Sequence, residues 1–479
     1  MTRTTTGNGT VARLAPAPGP EQGGRSGKGL SLSDLRNLVK AGAIDTVLLA
    51  VPDLQGRLKG KRYDANHFLK RVAHDGAEVC AYVLATDVDM SPADGFALTS
   101  WETGYQDLSV QPALSTLCVV PWLPRTVAVL GDAVHHDGTL IDIAPRQILH
   151  QQLTRLSRHG LHPKVGIETE FVLYKGTYAD VEHTGYQGLR PLTTENLDYA
   201  LDHDPVCDRY LRRLQRALAG AGMPVEAIKT EAGPGQVEVT FPYGGALTAC
   251  DRHPLFKHAV RTLGSRAGLA PTFMAAPETG RANGLHLHVS LWSKAISQLH
   301  EPGKNEHELS QIAQHVIAGL LAGLPELGPF YAPSVNSYKR FTPGSFAPTT
   351  FTWGRDNRTC AVRVVGRGEG LHLEIRVPGA DANPYLALSA VLAAMDHGLE
   401  RKLALGPEAT GNAYRASGTE APVPSTLGLA LTAFQDSALA QQAFGTEVVE
   451  HYARLAVLEL AHDERLVTDA ERQRWLARA

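Results

Sequence analysis

Four short stretches of this chain alternate apolar with polar residues, and the polar members are of types that bind cations or phosphates. Residues 165–171 carry Glu168 and Glu170, and residues 236–240 carry Glu238, shortly after Glu231. Residues 284–290 set His286, His288 and Ser290 against Leu285, Leu287 and Val289; residues 372–377 line up His372, Glu374 and Arg376. Side chains in a strand alternate with period two, so each stretch reads as a strand with an apolar back and a charged front. Together they predict a curved sheet whose concave side binds metal and polyanion. On one strand face the heads of Glu168 and Glu170 lie roughly 6–7 Å apart. That is too far for one ion to take both, and right for two ions that each take one. Oxygen ligands suit Mg²⁺ or Mn²⁺, and an imidazole in the set widens the choice toward Mn²⁺. Any one of these residues alone reads more simply as a solvated strand position; the set carries the expectation.

Arginines supply the complementary chemistry. Arg340, Arg358, Arg363 and Arg376 fall in one region, several among Gly, Pro and Asn rather than on a helix face. Guanidinium forks bind carboxylates and phosphates bidentately. The stretch Tyr338-Lys339-Arg340-Phe341-Thr342-Pro343-Gly344 reads as a loop able to cover a site. Carboxylates for metals beside arginines for phosphates point to nucleotide-phosphate chemistry, while the G-x-x-x-x-G-K-[ST] loop of P-loop enzymes is absent.

These groups need elements to position them. The chain has 479 residues, enough for a large core and for two domains. Residues 1–29, rich in Thr, Gly, Pro, Ala and Ser, predict a disordered tail. Residues 30–138 predict a small α+β domain: a helix capped by Ser33, then strands near 46–51, 79–84, 116–120 and 126–130. Residues 139–479 predict a larger domain in which the polar-faced strands alternate with helices near 145–158, 205–220, 250–266, 306–323 and 384–401, followed by a helical end from 423. Charge is nearly balanced, 46 basic against 49 acidic residues, which argues against a nucleic-acid partner. Five scattered cysteines without a C-x-x-C pair read as reduced thiols. No apolar run approaches a membrane span and no signal core opens the chain, so a cytoplasmic protein without membrane attachment is expected.

As a set, the motifs resemble the glutamine synthetase superfamily of ATP-dependent glutamate–amine ligases. The resemblance runs from about residue 30 to the C-terminus. It rests on Asp53-Leu54-Gln55-Gly56, Glu168-Thr169-Glu170, Glu231 with Gln236-Val237-Glu238, His286-Leu287-His288, Tyr338-Lys339-Arg340, Arg358 with Arg363, and Glu374-Ile375-Arg376 leading to Asn383-Pro384-Tyr385. It implies a small β-grasp-like N-terminal domain and a large catalytic domain whose curved antiparallel sheet lines the active site. It also implies two Mg²⁺ or Mn²⁺ ions per site, one on Glu170, Glu231 and Glu238, the other on Glu168, His286 and Glu374. His288 and Ser290 would lie along the phosphates of the co-substrate ATP. Arg340 and Arg376 would clasp glutamate near Gly284, and Arg358 and Arg363 would neutralise the transferring phosphoryl group. Asp53 would reach the active site of a neighbouring subunit, in a homododecamer of stacked rings or another ring-shaped homo-oligomer. Asp53 and Glu231 are the candidates for taking the amine proton.

Two departures bear on the amine. Ammonia-using members carry a flap of the form P-G-x-E-A-P, whereas this chain has Pro343-Gly344-Ser345-Phe346-Ala347-Pro348. An aromatic at Phe346 weakens an ammonium site and adds an apolar wall. Before His286, ammonia-using members have N-G-S-G-M-H where this chain has Arg281-Ala282-Asn283-Gly284-Leu285-His286, and His372 stands where the family often has Arg. The pattern is more similar to the bacterial γ-glutamylpolyamine and γ-glutamylethanolamide synthetases. The expectation is therefore ligation of glutamate to ethanolamine or a polyamine through γ-glutamyl phosphate. The alternatives are a glutamine synthetase using ammonium, or a non-catalytic sensor. Tyr414 lies near the place of a regulatory tyrosine in some relatives, but its surroundings differ, and adenylylation is not expected.

Overall fold

The computed structural model describes residues 29–301, 303, 305, 307–415 and 420–479. The tail expected over 1–29 falls, but for Gly29, outside the described residues. Helix Leu32–Lys40 is the first element of the described residues, capped by Ser31 rather than Ser33. The reason is spacing: a capping box needs an acid three residues after the cap, and Ser31 has Asp34 there while Ser33 has Arg36.

The small sheet holds β1 (Thr46–Pro52), β2 (Leu58–Asp64), β3 (Ala77–Cys80), β4 (Asp107–Pro112), β5 (Cys118–Val119) and β6 (Thr126–Val134). Its order is β2-β1-β6-β4-β3, with β5 also on β6; β1 runs parallel to β6 and antiparallel to β2. The strands expected near 79–84 and 116–120 are shorter than predicted. Ala81–Leu84 and Leu114–Thr116 close into 3-10 turns. In the first, Ala81 and Leu84 are both buried, and residues three apart share a face of such a turn.

The large sheet holds β7 (His162–Lys175), β8 (Ala227–Thr230), β9 (Gln236–Thr240), β10 (Gly244–Gly245), β11 (Leu269–Thr272), β12 (Leu285–Ser293), β13 (Ile296–Ser297), β14 (Trp353–Arg355), β15 (Val362–Val365) and β16 (His372–Ile375). The main path is β14-β15-β16-β12-β7-β9-β8. The sheet is antiparallel as expected except at its edge, where β14 and β15 are parallel. Val165, Ile167, Leu285, Leu287, Val289, Leu373 and Ile375 form its apolar back and are all buried. Each such side chain contributes roughly 1.5–3 kcal/mol, and a one-residue slip would expose the whole set, so the back locks the register of the front.

Helix Pro384–Arg401 is buried along nearly its whole length and packs on helices Gln311–Gly323 and Pro145–Ser157. One hydrophobic core runs from Leu35 and Val47 through the sheet back to Leu386 and Ala453, joining the small sheet to the large body. At the same seam Asn383 Nδ2 donates to the carbonyls of Asp53 and Leu54, both at 3.1 Å. All five cysteines are free. No helix among the described residues is long and apolar enough to cross a membrane.

Candidate active site

Strand register decides which charged residues meet. One ladder row pairs Lys229 with Glu238 and Glu238 with Glu170. The next pairs Glu168 with His286. The third pairs Arg363 with Glu374, Glu374 with His288, and His288 with Gly166. Glu168 and Glu170, neighbours on one strand, therefore part company. One ligand atom from each of Glu168, His286 and Glu374 lies within 4.8 Å of the other two, and Glu170, Glu231 and Glu238 form a second such group. These are the two triplets that the family resemblance implied.

Charge in this floor is heavily crowded. Burial and then the neighbouring Glu168 carboxylate push the Glu238 carboxyl up to about 11. Burial also works against the charge on Glu168, yet His286 and His288 hold its pKa below the usual range. Glu374 is only 1% exposed. Its burial is outweighed by Arg376 and His286, which bring it down to about 2. Five carboxylates this close require bound cations or protons to coexist. The donor set, hard oxygens plus one imidazole in three-ligand groups, fits a divalent ion in each.

His286 Nδ1 lies 2.7 Å from Glu168 Oε1 and 3.5 Å from Glu374 Oε1. The amides of Gln236 and Gly284 each donate to Glu170 Oε2 at 2.9 Å. Gly284 serves through its missing side chain as well: a Cβ there would stand 2.6 Å from His286 Nε2 and 3.0 Å from Arg340 Nη2. Asn283 is fully buried, donating to the Met274 carbonyl and accepting from Gln236, so its side chain is structural in this chain.

The arginines divide. Arg363 Nη1 donates to Glu374 Oε2 at 2.9 Å and its other nitrogens grip Asp356; Arg376 also contacts Glu374. Arg340 is buried, with burial pulling it down to about 10, and it donates to the carbonyls of Val377 and Arg376 at 2.9 and 3.0 Å. Arg358, grouped with Arg363 in the sequence, instead stands exposed in the turn after Asp356. Arg376 Nε is buried without a hydrogen-bond partner, which leaves it free for a ligand atom; His288 Nε2, also without a hydrogen bond, lies 3.6 Å from Glu168 Oε2. Phe346 sits at the flap tip, 59% exposed and with φ +58°. Its carbonyl accepts from Arg376 Nη2 at 3.4 Å, and Tyr414 Oη donates to the Ala347 carbonyl at 3.1 Å.

Asp53 is not part of this floor. Both its oxygens are engaged by Arg57 and by the Gln55 amide, and burial nevertheless raises its pKa. Sequence reasoning missed Lys229, which reaches Glu231, Asp198 at 3.5 Å and Glu238 at 3.9 Å. It also missed Trp292, which continues the His288 and Ser290 face, donates to Ser290 Oγ at 2.8 Å and carries Lys164 Nζ 3.7 Å above its ring. Both were readable in principle: Trp292 sits two residues from Ser290 on the same strand face, and Lys229 two residues before Glu231 at the end of β8.

A family profile described as "Glutamine synthetase, catalytic domain" matches residues 142–475. The chain belongs to this family. Over 449 residues this glutamine synthetase homologue is 43% identical to the gamma-glutamylethanolamide synthetase of Streptomyces coelicolor, covering 94% of this chain and 96% of that one. It is 32% identical over 446 residues to the glutamate–isopropylamine ligase of a Pseudomonas species, covering 92% and 97%. Among solved structures, a GmaS–ADP complex superposes with a TM-score of 0.79 at 28% identity, covering 93% of this chain and 99% of the other.

Proposed function

We propose that this glutamine synthetase homologue ligates the γ-carboxylate of glutamate to a small organic amine, with ethanolamine the first candidate. The observation that carries the choice of amine is Phe346, an exposed aromatic on the flap where ammonia-using relatives hold a carboxylate. The similarity to the Streptomyces ethanolamide synthetase supports the same choice.

In this reading Glu168, His286 and Glu374 hold one divalent ion, Mg²⁺ or Mn²⁺, and Glu170, Glu231 and Glu238 hold another. When bound, these ions draw charge from the phosphoryl group in transfer. Arg376, with its buried and unpartnered Nε, and Arg340 orient glutamate beside Gly284. A γ-carboxylate oxygen attacks the terminal phosphorus of ATP, and ADP leaves. His288 and Ser290 line the phosphates, while Arg363, with Arg358 swinging in from its exposed turn, neutralises the group in flight. The amine nitrogen then attacks the acyl carbon of γ-glutamyl phosphate, and phosphate departs with the carbon–oxygen bond. Glu231 takes the amine proton, with Lys229 beside it. Asp53 takes part only from a neighbouring copy, so activity would require a ring-shaped homo-oligomer, a homododecamer in the full form.

Phosphate release from ATP with Mg²⁺ and glutamate, run against ammonium, ethanolamine, putrescine and spermine with product masses, tests this. Turnover with an organic amine and little with ammonium is expected. Turnover with ammonium alone would make the protein a glutamine synthetase with an altered flap. Silence with every amine, despite ATP binding, would favour the non-catalytic sensor.

A further inference from the structure

A cavity of about 430 Å³ lies between the Asp53 loop, helix Ala246–Arg266, β11 and helix Thr446–Asp463. None of the metal-ligand candidates lines it. Its wall carries charges of both signs, and among the described residues no ion-pair contact joins Lys257 or Arg261 to Asp381 or Glu459. Lys257 is buried, donating to the Ala380 carbonyl at 2.6 Å and resting 5.0 Å from the centre of the Phe273 ring. Arg261 lies one helical turn further on, 5.4 Å from the same ring. Among the described residues neither cation has a carboxylate in ion-pair contact, and burial next to Arg261 brings Lys257 down to about 7.

Across the wall stand Asp381 and Glu459. Asp381 accepts from Ser334 and Ser337 at 3.0 and 2.6 Å, and Glu459 accepts from the Val335 amide at 3.2 Å. Neither meets a cationic side chain in ion-pair contact among the described residues. Lys257 is buried, Asp381 and Glu459 are half-buried and Arg261 is exposed, and all four line the cavity without a charged partner in ion-pair contact among the described residues. Val88, Met274 and Leu455 complete the lining with apolar surface.

We propose that this cavity binds a free α-amino acid with an apolar side chain, its carboxylate at Lys257 and Arg261 and its ammonium group at Asp381 and Glu459. A ligand carrying both charges satisfies both pairs at once, whereas a lone anion or a lone cation leaves one pair uncompensated. The apolar wall accepts the side chain. Gln55 and Arg57 also line the cavity, so an occupant ties down the loop that carries Asp53. The inference goes beyond the ligase reading and does not depend on it.

Calorimetric titration of the full-length protein with leucine, methionine and phenylalanine tests it, in the presence of saturating glutamate, ADP and Mg²⁺. At least one should bind, with N-acetyl-leucine and leucinamide about tenfold weaker or worse than leucine if leucine is the binder. Arg261→Gln and Glu459→Gln should each weaken binding about tenfold or more while melting temperature and phosphate release stay unchanged. Amide hydrogen exchange over residues 54–57 should slow on binding. No binding of any of the three at about 10 mM, equal binding by both variants, or displacement by glutamate would each overturn the proposal. Failure of the ligase reading would show separately, as absent phosphate release with this binding intact.

Discussion

The strand-built floor of the active site and the loop-built flap above it follow different rules. On the floor Glu168, Glu170, Glu238, His286, His288 and Glu374 are fixed by ladder register, and the register is fixed by buried aliphatics behind it; Leu287 and Ile375 pair at their backbones one step from His288 and Glu374. The flap has no ladder. It is held by Ser345 Oγ donating to the carbonyls of Arg340 and Thr342, by Arg376 on the Phe346 carbonyl and by Tyr414 on that of Ala347. A change in a floor residue disturbs neighbours on two strands, while a change at Phe346 meets mostly solvent. On the proposed reading, the phosphoryl chemistry sits where substitution is structurally difficult, and the choice of amine sits where a side chain can change without moving the backbone.

The most damaging break in this contrast is expected at Glu374. Glu374→Gln removes the carboxylate shared by Arg363, Arg376 and His286, and phosphate release should fall by about 10²–10³. Titration with Mn²⁺ should at the same time show one strong site fewer per chain. Near-normal turnover would mean that the floor does not bind the catalytic ions. Next comes Gly284→Ala, whose new Cβ meets His286 and Arg340; kcat/KM should drop about 10²-fold. The flap offers the control: Gly344, at φ +84° with open space around it, should lose only about 1 kcal/mol of stability as Ala and little turnover. Equal losses at the two glycines would erase the distinction between floor and flap.

Phe346→Glu sharpens the comparison from the other side. We expect ammonium use to rise about tenfold relative to the organic amine, with ATP binding unchanged. No gain would show that selectivity lies outside the flap.

The smallest effect on turnover is expected from His451, which lies on neither surface but against Phe96. Burial holds its imidazole down to about 4 in the folded chain, against an ordinary value of 6.5. The unfolded chain therefore binds the extra proton first as pH falls. The stability contribution is complete above pH 6.5, declines through the window to about 4, and amounts to roughly 3 kcal/mol at most. His451→Gln should flatten the dependence of melting temperature on pH in that window and leave kcat in place. An unchanged slope would remove His451 as the acid-sensitive group.

Much of the site is legible in the residues alone, because strand alternation is a local property. The positions of Glu168, Glu170, His286, His288 and Glu374 on one sheet face follow from period two, and the matching family profile covers the strands that carry them. Other features were not local. Arg358 and Arg363 look alike in sequence, yet Arg363 lies on β15 opposite Glu374 while Arg358 occupies an exposed turn. Arg340 looks like a free substrate clasp, and its terminal nitrogens prove to be held by two carbonyls 36 and 37 residues away. The helix cap moved from Ser33 to Ser31 because the side chain three residues on decides between them.

The sequence by itself determined the chemical inventory: which residue types face the same way on each strand, which motifs mark the family, and that the flap carries Phe346 in place of a carboxylate. Only the tertiary structure decided how that inventory is partitioned. Cross-strand register sends Glu168 to His286 and Glu374, and Glu170 to Glu231 and Glu238, although the two carboxylates are separated by one residue. It also assembled the mixed-charge cavity from segments that lie far apart in the chain. The physical reason is range: alternation is set by backbone geometry within a strand, whereas register and cavities come from burying apolar surface between segments distant in sequence.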